Sequence, residues 1–258
     1  MIGSAPMWHD VVDLREFYET RRGQVARHMV RRAVRSVWPD VTGQRVLGLG
    51  FATPYLRQFR SEAERVLAFM PASQGVLHWP PEGPGVVSLV EETELPLPDY
   101  SVDRVLLVHG LENSEALRAL LREIWRVLTG DGRLLVVVPN RRGIWARSDR
   151  TPLGWGHPYS AAQLSRVLRE NMFTPTRTER ALYVPPTTSH TLLRSAPAFE
   201  RIGARFFPTF AGVVMIESGK QLYAGSAKRV RGRIGKPVVV QLPQAAGRVH
   251  RERTPKPT

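Results

Sequence analysis

Residues 95–140, LPLPDYSVDRVLLVHGLENSEALRALLREIWRVLTGDGRLLVVVPN, decide the fold, because the period of their apolar residues changes twice. Arg104-Val105-Leu106-Leu107-Val108 is a short, largely apolar run between an Asp-containing turn and Gly110, the pattern of a strand buried on both faces. Leu117, Leu120, Leu121, Ile124, Trp125 and Leu128 then recur at helical spacing, with Arg118, Arg122, Glu123 and Arg126 turned outward. Asn113 or Ser114 is placed to cap the first turn of that helix, and Gly130 to end it in the left-handed conformation. Asp131-Gly132 then turns the chain into a second apolar run, Leu134-Leu135-Val136-Val137-Val138. A strand, a crossover helix and a second buried strand make a parallel βαβ unit.

Upstream, RVLGLGFATPY (45–55) reads as a strand and a glycine-containing loop, where nucleotide-binding α/β folds bring backbone close to a ligand. Residues 65–70 and 86–90 are further strands. Residues 11–38 read as one helix, with Leu14, Phe17, Tyr18, Val25, Met29, Ala33 and Val37 on or near one face and Trp38-Pro39 at its end. Its row of Arg27, Arg31 and Arg35 is a solvated face on the ordinary reading and a phosphate-facing ridge on the sharper one.

Downstream, Ser160 caps a helix through Leu164, Val167, Leu168 and Met172, and Leu182-Tyr183-Val184 begins a strand stopped by Pro185-Pro186. Residues 197–202 are a short helical candidate, and 211–216 a late apolar strand. His109 follows its strand on the carboxyl side of the sheet, where open α/β folds bind ligands. Arg141, Arg147 and Arg150, interleaved with Trp145, Trp155, His157 and Tyr159, suggest a lid or pocket for an anionic or planar group; loop packing explains the aromatics equally well.

Read in order, LPLPDYSVDRVLLVHGLEN followed by LREIWRVLTGDGRLLVVVPN resembles the middle of the class I S-adenosylmethionine (SAM) dependent methyltransferases. The resemblance implies a three-layer αβα Rossmann-like fold, with a mostly parallel seven-stranded sheet and an antiparallel edge, and SAM as cofactor. It puts Gly48, Gly50, Phe51, Met70, Glu91 and His109 around the cofactor, with His109 also a candidate base, and Arg141, Trp145 and Tyr159 toward a methyl acceptor. The chain departs from the family where Gly48 replaces an acidic residue, Ala52 and Pro54 replace two glycines, and Met70-Pro71 replaces the acidic residue closing the second strand. Two charge-assisted contacts are missing, at roughly 1.5 to 3 kcal/mol each. The reading therefore requires a nucleotide-sized crevice where the first and fourth strands end. NAD is disfavoured, since Thr53 breaks G-x-G-x-x-G and the second strand lacks its acid.

No run reaches the roughly 18 apolar residues of a membrane span, and the first residues lack a basic segment followed by an apolar one. The expectation is a cytoplasmic protein. With no cysteine there are no disulfides, thiolate metal sites or thiol nucleophiles, and the seven histidines show no H-E-x-x-H spacing. Formal charge is +14, of which residues 226–258 hold nine Lys or Arg against one Glu. The expected organisation is a domain over 1–225 and a basic tail over 226–258, either a solubilising extension or a contact for nucleic acid or an acidic protein. Val238-Val239-Val240 could add to a sheet edge.

Two rivals to methyl transfer follow from these features. A methyltransferase-like fold without cofactor could act as a binding or assembly module through its basic surface. An RNA-associated protein could use the helix 11–38 and the tail as phosphate contacts, though only charge supports it.

Overall fold

The computed structural model describes residues 10–222, which belong to one compact unit. The tail 226–258 and the 238–240 strand candidate lie outside the described residues. Seven strands form one sheet: β1 (Arg45–Gly50), β2 (Arg65–Pro71), β3 (Val87–Val90), β4 (Val102–Val108), β5 (Leu128–Pro139), β6 (Phe173–Ala181) and β7 (Val213–Lys220), in the order β3-β2-β1-β4-β5-β7-β6. β1 to β5 pair in parallel, and β7 runs antiparallel to both its neighbours, one place in from the edge. This is the three-layer αβα architecture expected from the sequence.

Two apolar layers cover the faces. One joins the sheet to α1 (Val11–Glu19), α2 (Arg21–Val37) and α3 (Thr53–Leu56); the other packs α4 (Leu117–Val127) and α5 (Ala161–Glu170) on the opposite face. Ser160 and Gln163 form a reciprocal capping box at the start of α5, as expected of the serine.

The expected single helix 11–38 is two helices. Thr20 takes extended backbone (φ −65°, ψ 154°), and its hydroxyl accepts from Gly23 N at 3.0 Å, starting α2 anew. A β-carbon at Gly23 would lie 1.9 Å from Phe17 O, so only glycine allows the tight return of α2 against α1.

Two details around α4 also differ. Its N-terminus is capped by neither Asn113 nor Ser114. Ser114 Oγ and Ala116 N instead donate to Glu92 Oε1, at 2.9 and 3.3 Å, tying the approach to the helix to another loop. At its other end Leu128 is already extended and Gly130 lies inside β5, so no left-handed glycine ends the helix. Arg126 and Glu123 are not simply outward. Arg126 donates to Leu95 O (2.8 Å) and Leu97 O (2.7 Å) and pairs with Asp99 and Glu123, clamping the turn that enters β4.

The strand expected at 182–184 is instead β6, which ends at Ala181. β6 reads FTPTRTERA, with buried residues only at its two ends, so its pairing with β7 rather than an apolar pattern makes it a strand. α6 (His190–Arg194) and α7 (Ala196–Phe206) follow, the latter longer than the 197–202 candidate.

Candidate active site

The carboxyl ends of β1 and β4 meet at a junction that only glycine permits. Gly50 has φ +74°, and a β-carbon there would lie 2.3 Å from Val108 O. Phe51 N donates to the same carbonyl at 2.8 Å, extending the pairing one residue past the strands. Gly48 faces α3: a β-carbon there would meet Leu56 Cδ1 at 2.4 Å and Ala52 Cβ at 2.9 Å.

Over this junction the protein places a buried polar chain. His109, 2% exposed and with φ +52°, hydrogen-bonds through Nε2 to the Tyr18 hydroxyl at 2.8 Å and through Nδ1 to Glu112 Oε1 at 3.1 Å. The Tyr55 hydroxyl donates to that of Tyr18 at 2.9 Å. With a neutral ring all three bonds are satisfied when Tyr55 donates to Tyr18, Tyr18 to Nε2, and Nδ1–H to the carboxylate. In that tautomer Glu112 holds Nδ1–H and Nε2 is the acceptor. Burial raises Tyr18 well above the ordinary tyrosine range, with Tyr55 and the Glu112 charge adding to it; burial likewise raises Tyr55.

The His109 carbonyl is also held, by Gln74 Nε2 at 2.9 Å and Asn113 Nδ2 at 3.3 Å. Three buried oxygens at this cluster have no partner: Glu112 Oε2, Gln74 Oε1 and Asn113 Oδ1. All are acceptors, so the cluster is short of donors.

The crevice required over β1 and β4 is closed. Phe51 stacks on Tyr18 with centroids 5.7 Å apart and an interplanar angle of 15°, and Met70 is wholly buried. The void among Tyr18, Tyr55, Val108 and His109 measures about 10 Å³, the lower limit for one water. Beyond the Tyr18–Phe51 stack lies an open pocket of about 480 Å³, lined by Phe51, Thr53, Pro54, Leu77 and Trp79 with Arg15, Arg27 and Arg57 at its wall.

The fold is matched in known proteins. Residues 43–136 match the family model described as a methyltransferase domain. The matched stretch runs from just before β1 into β5. No curated protein matches the sequence. Among solved structures the chain is similar to a SAM-dependent methyltransferase from Thermotoga maritima (16% identity, 82% of this chain and 96% of that chain, TM-score 0.56). It is similar to a SAM-dependent methyltransferase from Archaeoglobus fulgidus (19%, 80% and 99%, 0.56) and to a [4+2]-cyclase (23%, 78% and 82%, 0.51). At these identities the likeness is one of fold, and the cyclase carries a different activity on it.

Against the methyltransferase domain, the sequence-predicted residues separate. Gly48, Gly50, Phe51 and His109 gather at the β1–β4 junction, and Met70 lies in the core beneath the same sheet face. Glu91 is exposed in a turn bridged to Glu94, while its neighbour Glu92 is engaged with α4. Arg141 and Tyr159 share a groove of about 500 Å³ with His157, Gln163 and Arg166. Trp145 does not join them: it is 1% exposed, donates to Val184 O at 2.7 Å and packs edge-on against Phe17. Tyr18, Tyr55, Gln74 and Glu112 were missed. Glu112 alone had a local signal, standing three residues after His109. Among the described residues no group of three or more His, Cys, Asp or Glu could hold a metal ion. No helix there is long and apolar enough to cross a membrane.

Proposed function

We propose that the chain is a SAM-dependent methyltransferase acting on a protic acceptor, with His109 as its proton-accepting group. The observation that carries this reading is the buried Glu112–His109 pair at the end of β4, with Nε2 presented to a hydroxyl. When bound, SAM supplies an electrophilic methyl group whose transfer needs chiefly alignment. An acceptor hydroxyl or amine must also lose a proton, and Nε2 is oriented to take it. Tyr18 occupies the place such an acceptor would take.

The fit of the cofactor divides by region. Glu112 Oε2, Gln74 Oε1 and Asn113 Oδ1 are unpaired acceptors of the kind an ammonium group satisfies, so the cluster fits the amino-acid end where Gly48 offers no carboxylate. The pocket beside Phe51 has nucleoside-sized volume. Between them stands the Tyr18–Phe51 stack, so binding along β1 requires α1 to move outward.

The closed stack also favours a second reading, a domain that has kept the methyltransferase fold without the cofactor and serves as a binding module. Titration calorimetry with SAM on the full chain and on Tyr18→Ala separates the two. Saturable binding tighter than high micromolar, strengthened in the variant, supports the enzyme. No heat from either protein at millimolar ligand leaves the binding module.

A further inference from the structure

α7 turns its Ala196 and Gly203 face inward, Gly203 against the Tyr183 ring, and Glu200 takes Tyr183 N at 2.8 Å. The opposite side carries Arg201 and Arg205, one turn apart, with Ile202 beside them. At the end of the helix Phe206, Phe207 and Phe210 stand 65%, 56% and 49% exposed, and Ile202 55%. Four large apolar side chains within nine residues, three of them aromatic, form an exposed patch that a chain of this kind ordinarily buries. The tip is not loose, since Asn140 Nδ2 donates to Thr209 O (2.9 Å) and Ala211 O (2.7 Å). That amide follows β5 directly, so the aromatic tip is fixed to the carboxyl edge of the sheet where His109 also lies.

Cations line the other flank of α7. Beside α7, a groove of about 580 Å³ is lined by Arg32, Arg180 and Arg201, with Glu200 the acid on its wall. Burial raises Glu200 above the usual carboxylate range, and its oxygen is already engaged with Tyr183 N. Arg194 adds a further exposed cation. Arg32 belongs to the arginine-rich α2 that the sequence had already singled out.

We propose that α7 and its Phe206–Phe207–Phe210 tip dock the protein on an anionic phospholipid surface. The phenyl rings and Ile202 enter the acyl boundary, while Arg201 and Arg205 face lipid phosphates. Exposed phenylalanine and isoleucine beside arginines are the composition of an interfacial helix, in which buried apolar area and attraction to anionic lipid act together. An RNA surface would use the arginines but gives no partner for Ile202. The inference does not depend on SAM binding.

The test is co-sedimentation of the full chain with vesicles of phosphatidylcholine alone and of phosphatidylcholine mixed with phosphatidylglycerol. Binding to the mixed vesicles only is expected. F206S/F207S and R201E/R205E should each weaken it by roughly tenfold or more. Leu89→Ser, at an exposed site on β3, should leave it unchanged, and circular dichroism should show all variants folded. Three results overturn the proposal: no sedimentation with mixed vesicles, equal binding to neutral vesicles, or full binding by F206S/F207S, which would assign the affinity to charge alone. Loss of RNA binding in the same variants without vesicle binding would make the partner a nucleic acid.

Discussion

The Tyr18 hydroxyl stands 2.8 Å from His109 Nε2, joining the first described helix to the loop after β4 across 91 residues of sequence. This bond and the ring stack on Phe51 hold α1 over the end of β1. Tyr18→Phe keeps the stack and removes the donor, leaving a buried ring nitrogen unpaired, at about 1–3 kcal/mol. Tyr18→Ala removes both and should cost about 3–5 kcal/mol. Urea denaturation checks the order. Equal losses for the two variants would mean that the rings contribute nothing.

High pH should reveal the same chain of hydroxyls. Tyr18 and Tyr55 both have folded-state values raised above the ordinary 10, chiefly by burial. Their protons are held more tightly folded than unfolded, so the stability involved is complete below pH 10. It is lost as pH rises from there toward the folded values. Each tyrosine should contribute a fall of about 1.4 kcal/mol per pH unit in that window. Lys220, lowered by burial, acts with the opposite sign just below the ordinary lysine value. The slope should therefore be read as the difference between the parent and Y55F, followed by denaturation from pH 9 to 11. A parent slope no steeper than that of Y55F would mean that Tyr55 titrates freely.

Arg126 should be among the more sensitive positions outside the site. Its guanidinium satisfies two backbone carbonyls in the turn before β4 and two carboxylates. Lysine offers a single ammonium in place of that fork and cannot span all four acceptors. Arg126→Lys should destabilise by about 1.5–3 kcal/mol, and Arg118→Lys, on the same helix, by less than about 0.5 kcal/mol. Thermal unfolding of the pair provides the comparison.

The sheet was legible because β1, β4 and β5 are buried on both faces and their apolar runs can be read without tertiary information. β6 was not, because its side chains are mostly solvent-facing and its ladder to β7 decides its conformation. The break at Thr20 was hidden by apolar residues that keep helical spacing on both sides of it, and the Glu92 carboxylate that holds the approach to α4 comes from a distant loop. His109 was placed correctly at the end of β4, since a loop position follows from the strand before it. Its partners were not legible: Tyr18 and Gln74 reach it from other segments, and Tyr55 backs Tyr18, all unremarkable polar residues in sequence.

The glycine at position 48 gives the last prediction, because restoring an acid there tests whether the chain has lost a ligand contact or exchanged it for packing. A side chain at Gly48 meets Leu56 Cδ1 at 2.4 Å and Ala52 Cβ at 2.9 Å, so Gly48→Asp must displace α3 or bury a carboxylate against leucine. The cost should be at least about 3 kcal/mol. Leu56→Ala alone opens a cavity and should cost about 2–5 kcal/mol. In G48D/L56A the added carboxylate occupies the space that leucine vacates, so the double variant should be more stable than the sum of the single losses implies, by about 1 kcal/mol or more. A double-mutant cycle by chemical denaturation measures this coupling. Simple additivity would show that Leu56 is not what excludes the acid, and the packing explanation for Gly48 would fall.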